Sequence, residues 1–503
     1  MKQLIFRGLE HEIQNWQVHD FSAKHFAQET ARLALEQRLI KLTEVTDSFT
    51  RKSVSYQLNK QECIHRWLKY KEGYSGELVE ELLQELKIPR GGTVLDPFLG
   101  SGTTALVCKM LGINSIGFDI LPMTKVAIKG KDSIFSYNTQ ELQCLYAEVL
   151  KLEVPKKFTG NFSYLPITEG AFQENTTKEI LFFTKWNQNS SFSSLAKNLI
   201  TLCILNSLEK VSFTSKDGQY LRWDYRSTKV KNANAIRASK GCPPIAVKLD
   251  KGEIPTLKKC LLEELKNVID DIIFLQKNSK ETTFPPIQFV EGSALYELPK
   301  LPHEILDGVI TSPPYCNRYD YTRTYALEMN YLGVTNDQLK KLRQNLLSCT
   351  VENKTKIDFL KSYYSKLGRS HDFEQVIKLL NNNNALQEVL TALNLRKKAG
   401  EINNPGVLRM VEGYFTELAF IYAELFRVCK KGGGVAVVND NVRYGGEVIP
   451  VDFISTEIAE HIGFEPVKIY TLKQLKGNSS QQMKKFGRIA LRKSITIWRK
   501  PSY

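Results

Sequence analysis

The sequence lacks the cysteine and histidine spacings of a metal-binding or disulfide-bonded protein. Its nine cysteines include no C-x-x-C pair, and its seven histidines include no H-E-x-x-H or comparable metal spacing. These absences exclude a zinc ribbon and a disulfide framework, and the scattered thiols fit a reducing compartment. No apolar run approaches about 18 residues, and the first residues carry charges too early for a signal peptide. We expect a soluble, cytoplasmic protein with no membrane partner.

Acidic residues are scarce in two stretches only. Lys and Arg together number 69 against 54 Asp and Glu, which gives a net charge of +15. Residues 222–251 contain eight basic and two acidic residues, and residues 471–500 contain nine basic and no acidic ones, so these two stretches account for the whole excess. Clustered positive charge favours a polyanionic partner, most often nucleic acid, although solvated lysines without a partner give the same count.

The length and composition are those of a globular protein with several parts. With 503 residues, 42% of them apolar, the chain has room for about three domains or for one domain with large insertions. Hydrophobic periodicity predicts helices over 22–45, 77–86 and 103–111, and strands over 93–96 and 114–120. Strand, glycine turn, helix and strand make a right-handed β-α-β unit, which opens a doubly wound, mostly parallel sheet.

The sheet pattern is interrupted twice. After residue 131 it stops for about 150 residues, returns as strands at 287–291 and 306–311, and stops again over the polar, helical stretch 325–404, which has a turn at 381–384. A helix over 406–428, a glycine turn at 432–434 and strands at 435–438, 468–472 and 494–498 follow. The sequence therefore predicts one α/β domain built from separated pieces, with two largely helical insertions.

A glycine-rich loop follows the strand at 93–96. Doubly wound sheets bind ligands at this carboxyl end of a strand, and the loop reads Asp96-Pro97-Phe98-Leu99-Gly100-Ser101-Gly102-Thr103-Thr104. The glycines allow a sharp turn and a close approach of the backbone to a ligand. Asp96 would repel a pyrophosphate, but it suits a ligand with an ammonium group, such as S-adenosylmethionine. Asp119, at the end of the next strand, is placed to accept hydrogen bonds from ribose hydroxyls.

The strand at 306–311 ends in the tetrapeptide Ser312-Pro313-Pro314-Tyr315. Two prolines remove two N–H donors and fix φ, so this tip is stiff and rich in acceptors. The Ser312 hydroxyl and the Ser312 and Pro313 carbonyls suit an exocyclic amino group, because they can hold both hydrogens while the lone pair attacks a sulfonium methyl. The Tyr315 ring would stack on a base extruded from the helix. Cys316 follows a tyrosine rather than a proline, so we predict a packing role for it instead of nucleophilic attack on a cytosine ring.

Together these two motifs resemble those of the DNA amino-methyltransferases. The loop matches that family's D-P-F-x-G-S-G-T-T residue for residue, and the tetrapeptide is its (D/N/S)-P-P-(Y/F). The resemblance implies a Rossmann-like class I methyltransferase fold, S-adenosylmethionine as cofactor, and methylation of cytosine N4 or adenine N6 on a flipped base of double-stranded DNA. It also implies a restriction-modification or defence system with a cognate nuclease or other subunits. Serine in first place favours cytosine N4.

The resemblance also implies roles for individual residues. The catalytic residues are Ser312, Pro313, Pro314 and Tyr315. The cofactor-binding residues are Asp96, Pro97, Phe98, Gly100, Ser101, Gly102, Thr103, Thr104 and Asp119, with Ser293 and Ala294 near the adenine and with Lys71, Gly73 and Ser75 over the methionine end. An ordinary loop that caps the following helix would explain the segment from Lys71 to Ser75 equally simply. Tyrosines 319, 321 and 325 fit either a base pocket or the core.

The chain divides on this basis into six parts. They are an N-terminal helical segment (1–50), the cofactor-binding part (51–130), an insertion (131–286), the part with the catalytic motif (287–324), a helical insertion (325–404) and the C-terminal part of the catalytic domain (405–503). The family often places the tetrapeptide first, and a permuted order leaves the site unchanged. We predict that insertion 131–286 recognises DNA through Arg222, Arg226, Lys229, Lys231 and Arg237, which are interleaved with aromatic residues. A scaffold or dimer surface is the alternative.

Three other functions compete with the DNA methyltransferase. An RNA amino-methyltransferase would use the same pocket, but none of the common RNA-binding modules is recognisable. Asp96 and the tetrapeptide both argue against a nicotinamide-dependent dehydrogenase. A catalytically dead DNA-binding subunit would be expected to have lost the tetrapeptide, which is intact.

Overall fold

A computed structural model describes residues 31–46, 49–50, 52–217, 220–279, 281, 283–472, 486 and 491–503. The strands are β1 Thr43–Thr46, β2 Thr93–Asp96, β3 Asn114–Asp119, β4 Thr214–Asp217, β5 Tyr220–Trp223, β6 Ile287–Glu291, β7 Leu306–Thr311, β8 Cys429–Asp440, β9 Val442–Tyr444, β10 Glu447–Ile449, β11 Glu465–Leu472 and β12 Lys493–Arg499. Eight of them form a central sheet in the order β1-β11-β12-β8-β7-β2-β3-β6. Only the pairs that include β12 are antiparallel in this sheet. The chain runs outward from β2 through β3 to β6 and returns to β7 on the other side of β2, which confirms the predicted doubly wound, mostly parallel sheet.

Helices cover both faces of the sheet. They are α1 Ala31–Leu39, α2 Gly76–Glu85, α3 Thr103–Met110, α4 Pro122–Asp132, α5 Thr139–Lys151, α6 Glu174–Asn189, α7 Ser194–Ser207, α8 Thr228–Ser239, α9 Leu257–Asn278, α10 Ala294–Glu297, α11 Tyr321–Thr324, α12 Ala326–Tyr331, α13 Asn336–Asn345, α14 Ile357–Lys366, α15 Ser370–Asn382, α16 Asn384–Lys398, α17 Val407–Val428 and α18 Val451–Ile462. Successive side chains of a strand point to opposite faces. Val94 accordingly packs in a cluster with α2 and α3, whereas Leu95 packs in another with α17 and α18.

Both insertions share hydrophobic cores with the sheet layers. Helices α5, α6, α7 and α9 of the first insertion pack in one cluster with Met123 and Ala127 of α4. Helices α14, α15 and α16 of the second insertion pack with α17. The hairpin β4–β5 lies in the first insertion, with Ser215 opposite Arg222. No described helix is long and apolar enough to cross a membrane.

Three predicted element boundaries differ from the structure. Of the helix predicted over 22–45, residues 22–30 lie outside the described residues, and α1 covers Ala31–Leu39. The prediction is wrong over residues 43–45, because Thr43–Thr46 forms β1 parallel to β11. Three β-branched residues in this segment favour a strand, and the neighbouring strand supplies the hydrogen bonds. The glycines at 432–434 were expected to form a turn, but β8 already begins at Cys429 and includes them. The turn predicted at 381–384 is confined to Asn383, because α15 includes Asn381 and Asn382 and α16 begins at Asn384. The two final strands are confirmed.

Candidate active site at the carboxyl edge of the sheet

The glycine-rich loop and the tetrapeptide meet because their strands are neighbours. Strands β2 and β7 pair in parallel, with Val94 opposite Gly308 and Leu95 opposite Val309. They therefore end side by side. The Thr311 hydroxyl at the end of β7 donates to Asp96 Oδ1 at the end of β2 over 2.8 Å, although 215 positions separate the two residues. This hydrogen bond joins the two motifs directly.

Asp96 organises this edge of the sheet. Besides Thr311, its carboxylate accepts hydrogen bonds from the Phe98 amide at 3.1 Å, the Thr104 hydroxyl at 2.9 Å and the Tyr74 hydroxyl at 3.0 Å. Burial raises the pKa of Asp96, and these hydrogen bonds to the ionised form oppose that shift. A carboxylate offers about four lone-pair positions, so these four donors occupy its acceptor capacity.

The loop requires glycine at two positions, because at each the backbone has a positive φ and an added Cβ would meet a neighbouring side chain. Gly100 and Gly102 have φ values of +54° and +82°. A Cβ on Gly100 would lie 2.8 Å from the Tyr70 ring, and a Cβ on Gly102 would lie 2.2 Å from the Ile128 Cδ1 atom. Beneath the loop, the fully buried Lys131 donates to the Ser101 carbonyl at 2.7 Å. Burial lowers the pKa of Lys131 to about 7.

Asp119 connects the loop to the end of β3. Its carboxylate accepts the Gly100 amide at 2.8 Å and the Leu121 amide at 2.7 Å, one on each oxygen. Its backbone carbonyl accepts the Gly292 amide at 3.0 Å, which brings the turn after β6 alongside. Burial raises the pKa of Asp119 to about 6. Each carboxylate oxygen keeps acceptor capacity for a ligand hydroxyl.

A cavity opens between these elements. Its lining includes the predicted residues Gly73, Asp96, Pro97, Phe98, Gly100, Ser101, Thr103, Asp119, Ser293, Ala294, Ser312 and Pro314. Among the described lining residues three are acids, namely Glu72, Asp96 and Asp119, and none is Lys or Arg. This electrostatic character disfavours a pyrophosphate and favours a ligand with positive charge. S-adenosylmethionine, which carries a sulfonium and an ammonium group, fits such a cavity.

Six of the predicted catalytic and cofactor-binding residues lie outside the cavity lining. They are Lys71, Ser75, Gly102, Thr104, Pro313 and Tyr315. Ser75 is fully buried, and its hydroxyl caps α2 by accepting the Leu78 amide. The Lys71 ammonium donates to the Lys216 carbonyl. These two contacts are structural.

Tyr315 is held beside Ser312 by a lysine that the sequence did not single out. The Ser312 hydroxyl donates to Tyr315 Oη at 3.1 Å, and the Lys493 ammonium donates to the same oxygen at 3.2 Å. Lys493 also lies 4.9 Å from the centre of the Tyr315 ring and 3.5 Å from Asp440 Oδ1. Burial lowers the pKa of Lys493, but the Asp440 carboxylate and the Tyr315 hydroxyl together raise it more, so the lysine remains charged. One lysine in a terminal strand gives no pattern that could have predicted this contact.

The undecided tyrosines divide between cavity and core. Tyr321 lines the cavity, whereas Tyr319 and Tyr325 do not. Tyr325 is fully buried and stacks on Tyr70 with ring centres 5.1 Å apart. Tyr70 and the segment Asn345–Leu347 of the second insertion also line the cavity and were missed. Glu72 and Tyr74 line it as well, and they lie in the segment predicted over the methionine end without having been named as site residues. Sequence periodicity carries no information on such contacts between distant segments.

The basic stretches are partly internal. Arg226 forms a bidentate ion pair with buried Asp224, with hydrogen bonds of 2.9 and 2.8 Å. Arg237 donates to the Pro243 carbonyl at 2.6 Å. Lys229 lies 4.5 Å from the Trp223 ring centre, and Lys231 is exposed. In the second stretch, residues 473–485 and 487–490 lie outside the described residues, and buried Arg492 pairs with Asp452 at 2.6 Å.

Comparisons with known proteins identify the family. The family model described as DNA methylase, of the N6/N4 type, matches residues 14–129. The type II methyltransferase M.BsoBI of Geobacillus stearothermophilus is 54% identical over 487 residues, which cover 97% of this chain and 95% of that protein. The type II methyltransferase M.AvaI of Nostoc sp. (strain PCC 7120) is 38% identical over 490 residues, which cover 96% of each chain. The chain belongs to the type II DNA methyltransferases.

Membership confirms the predicted fold and enzyme class. The eight-stranded, mostly parallel sheet with flanking helices is the class I methyltransferase architecture. The protein is therefore a site-specific DNA methyltransferase of the restriction-modification type, and DNA is its partner. DNA methyltransferases of this family generally use S-adenosylmethionine. The burial of the Cys316 side chain raises the pKa of its thiol, which agrees with a packing role.

Proposed function

We propose that this DNA methyltransferase transfers the methyl group of S-adenosylmethionine to the N4 atom of a flipped cytosine. The observation that carries the proposal is the hydrogen bond between Thr311 and Asp96. It places the glycine-rich loop and the tetrapeptide beside one acidic cavity, so a cofactor and a base amino group can share that edge of the sheet.

The cofactor would be held along the cavity by groups from three strand ends. Asp119 would accept the ribose hydroxyls, because each of its oxygens has acceptor capacity left after the Gly100 and Leu121 amides. Ser293 and Ala294, after β6, would border the adenine, and Gly73 would border the methionine end. The bound cofactor would supply an electrophilic methyl group. Asp96 acts through the loop that it organises.

The tetrapeptide would hold the target amine. The Ser312 hydroxyl donates its own proton to Tyr315, so its lone pairs remain free to accept a hydrogen from the amine. The Pro313 carbonyl supplies a second acceptor, and Pro314 stiffens the turn. The Tyr315 ring would stack on the base ring while its hydroxyl keeps the contacts with Ser312 and Lys493. Holding both amine hydrogens directs the nitrogen lone pair at the methyl carbon, so much of the acceleration comes from orientation.

We propose that the insertion at 131–286 recognises the DNA. The exposed side chain of Lys231, on α8, is available to phosphates, and Arg222 is on the hairpin β4–β5. Arg226 and Arg237 contribute less, because the former is paired with Asp224 and the latter with a backbone carbonyl. A nuclease that cuts the same unmodified site is the partner we propose for this enzyme.

One experiment tests the reaction and the target atom. Purified enzyme would be incubated with unmethylated genomic DNA and S-adenosylmethionine carrying a deuterated methyl group, and the DNA would be digested to nucleosides for mass spectrometry. We expect deuterated N4-methylcytosine, and a strong reduction of that product with the Tyr315→Ala variant. Deuterated N6-methyladenine would overturn the choice of cytosine. Deuterated 5-methylcytosine, or no labelled nucleoside, would overturn the proposed chemistry.

A further inference from the structure

Glu72 is an acid in the cavity lining that was not among the predicted site residues, although its segment was expected to lie over the methionine end of the cofactor. It lies between Lys71 and Gly73, in the segment that approaches the glycine-rich loop. We propose that the Glu72 carboxylate binds the α-ammonium group of the methionine moiety of S-adenosylmethionine. This inference rests on the cofactor assigned under the proposed function.

The other two acids of the cavity already have other roles, one in the fold and one at the ribose end. Asp96 accepts four hydrogen bonds from its own fold, and a fifth partner would have to displace one of them. Asp119 lies at the end of β3, where its carbonyl contacts Gly292, so it belongs to the ribose and adenine end of the cavity. Glu72 is therefore the carboxylate left for an ammonium group at the other end.

The Glu72 carboxylate lacks a positively charged partner in the described part of the chain. It is largely buried, and in the described part of the chain it forms no ion pair within 4.0 Å. The Lys216 charge acts on Glu72 through space and lowers its pKa, but its ammonium pairs with Glu328, and both of those side chains are almost fully buried. Buried charges are stable in proteins when they are paired. A cationic ligand in the cavity would supply the missing partner.

The surrounding contacts hold Glu72 in place. The Tyr325 hydroxyl donates to Glu72 Oε2 at 2.6 Å and accepts the Lys71 amide at 3.0 Å. Tyr325 itself is fixed by its stack on Tyr70, whose ring also packs against Gly100 of the loop. The carboxylate is thus positioned before the ligand binds and keeps acceptor positions for it.

A competing explanation is that Glu72 serves only to hold Tyr325. Two variants separate the explanations. Glu72→Gln removes the charge but keeps an oxygen that can accept the Tyr325 hydroxyl, whereas Tyr325→Phe removes that hydrogen bond but keeps the charge. If the charge binds the ligand, the first variant is the more damaging to affinity.

The test compares two ligands by isothermal titration calorimetry on the full-length protein. S-adenosylmethionine has the ammonium group, and 5′-methylthioadenosine lacks the whole amino-acid moiety. We expect Glu72→Gln to weaken S-adenosylmethionine binding at least tenfold and 5′-methylthioadenosine binding less than twofold. Tyr325→Phe should weaken binding of S-adenosylmethionine less than threefold, and Asp119→Asn, at the ribose end, should weaken both ligands to a similar extent.

Each remaining outcome would contradict either the role of Glu72 or the cofactor assignment. If Glu72→Gln weakens S-adenosylmethionine binding less than tenfold, or weakens the binding of both ligands equally, the role of Glu72 is refuted. If Tyr325→Phe is as damaging as Glu72→Gln, the residue is structural. If the wild-type protein binds neither ligand, the cofactor assignment itself fails, and this result differs from a failure confined to the variant.

Discussion

Substitution of Gly102 by alanine is expected to damage the cofactor loop in two separable ways. The backbone at this position has φ of +82°, a region in which an L side chain costs about 1–2 kcal/mol. The new Cβ would also lie 2.2 Å from the Ile128 Cδ1 atom, and overpacking of this kind costs about 1–3 kcal/mol. Together these effects predict a loss of about 2–5 kcal/mol in the free energy that holds the loop in its ligand-binding shape.

The clash can be relieved without changing the backbone. Ile128→Val removes the Cδ1 atom, and the next atom of that side chain, Cγ1, would lie 3.7 Å from the added Cβ, which is ordinary contact. Alone this change costs about 0.5–1.5 kcal/mol. We therefore expect the double variant Gly102→Ala/Ile128→Val to be more stable than Gly102→Ala alone, while the backbone strain remains.

Thermal unfolding and S-adenosylmethionine affinity would be measured for the wild type, both single variants and the double variant. Partial recovery in the double variant is the expected result. The reasoning is refuted if Gly102→Ala has wild-type stability and affinity, or if Ile128→Val adds its full cost to that of Gly102→Ala, because the two residues would then not be in contact.

Three further predictions follow from other contacts of the site. Thr311→Val should lower the free energy of unfolding by about 1.5–3 kcal/mol in urea titrations, because it removes a 2.8 Å hydrogen bond to a buried carboxylate. The matched control is Thr416→Val, which removes an exposed hydroxyl. The affinity for S-adenosylmethionine should fall below about pH 6, by up to about tenfold per unit, because the ionised form of Asp119, whose pKa is raised to about 6, is the stronger acceptor; affinity unchanged at pH 5 would contradict this. Lys493→Met should lower kcat about tenfold, which corresponds to a barrier about 1.4 kcal/mol higher, because Lys493 positions Tyr315. The cofactor affinity should remain unchanged. An equal loss of cofactor affinity would indicate a general structural role.

Local patterns were sufficient to predict the central elements of the fold. Strand, glycine turn, helix and strand over 93–120 obey short-range rules of periodicity and turn chemistry, and the structure has all four elements. The meeting of Asp96 and Ser312 could be predicted as well, because parallel strands that carry polar tips place those tips at one edge. The same rules failed at Thr43–Thr46, where the helical pattern continued but the free edge of β11 offered a strand partner.

The rest of the site depends on contacts between segments that sequence order does not relate. Glu72 and Tyr70 reach the cavity because Tyr325, about 250 positions later, fixes their segment. Lys493 reaches Tyr315 because β12 is inserted antiparallel beside β8. Conversely, Arg226 reads as a basic surface residue, yet it is tied to buried Asp224. Charge counts along a chain cannot distinguish a solvated cation from one that is paired inside the fold.

A crystal structure with sinefungin, an S-adenosylmethionine analogue in which an amine replaces the methyl-bearing sulfonium centre, tests the central claim most directly. We expect the analogue to occupy the cavity between Gly100 and Ser312, with its ribose at Asp119 and its replacement amine directed at the tetrapeptide. An analogue bound elsewhere, or bound in this cavity with that amine directed away from Ser312, would contradict it.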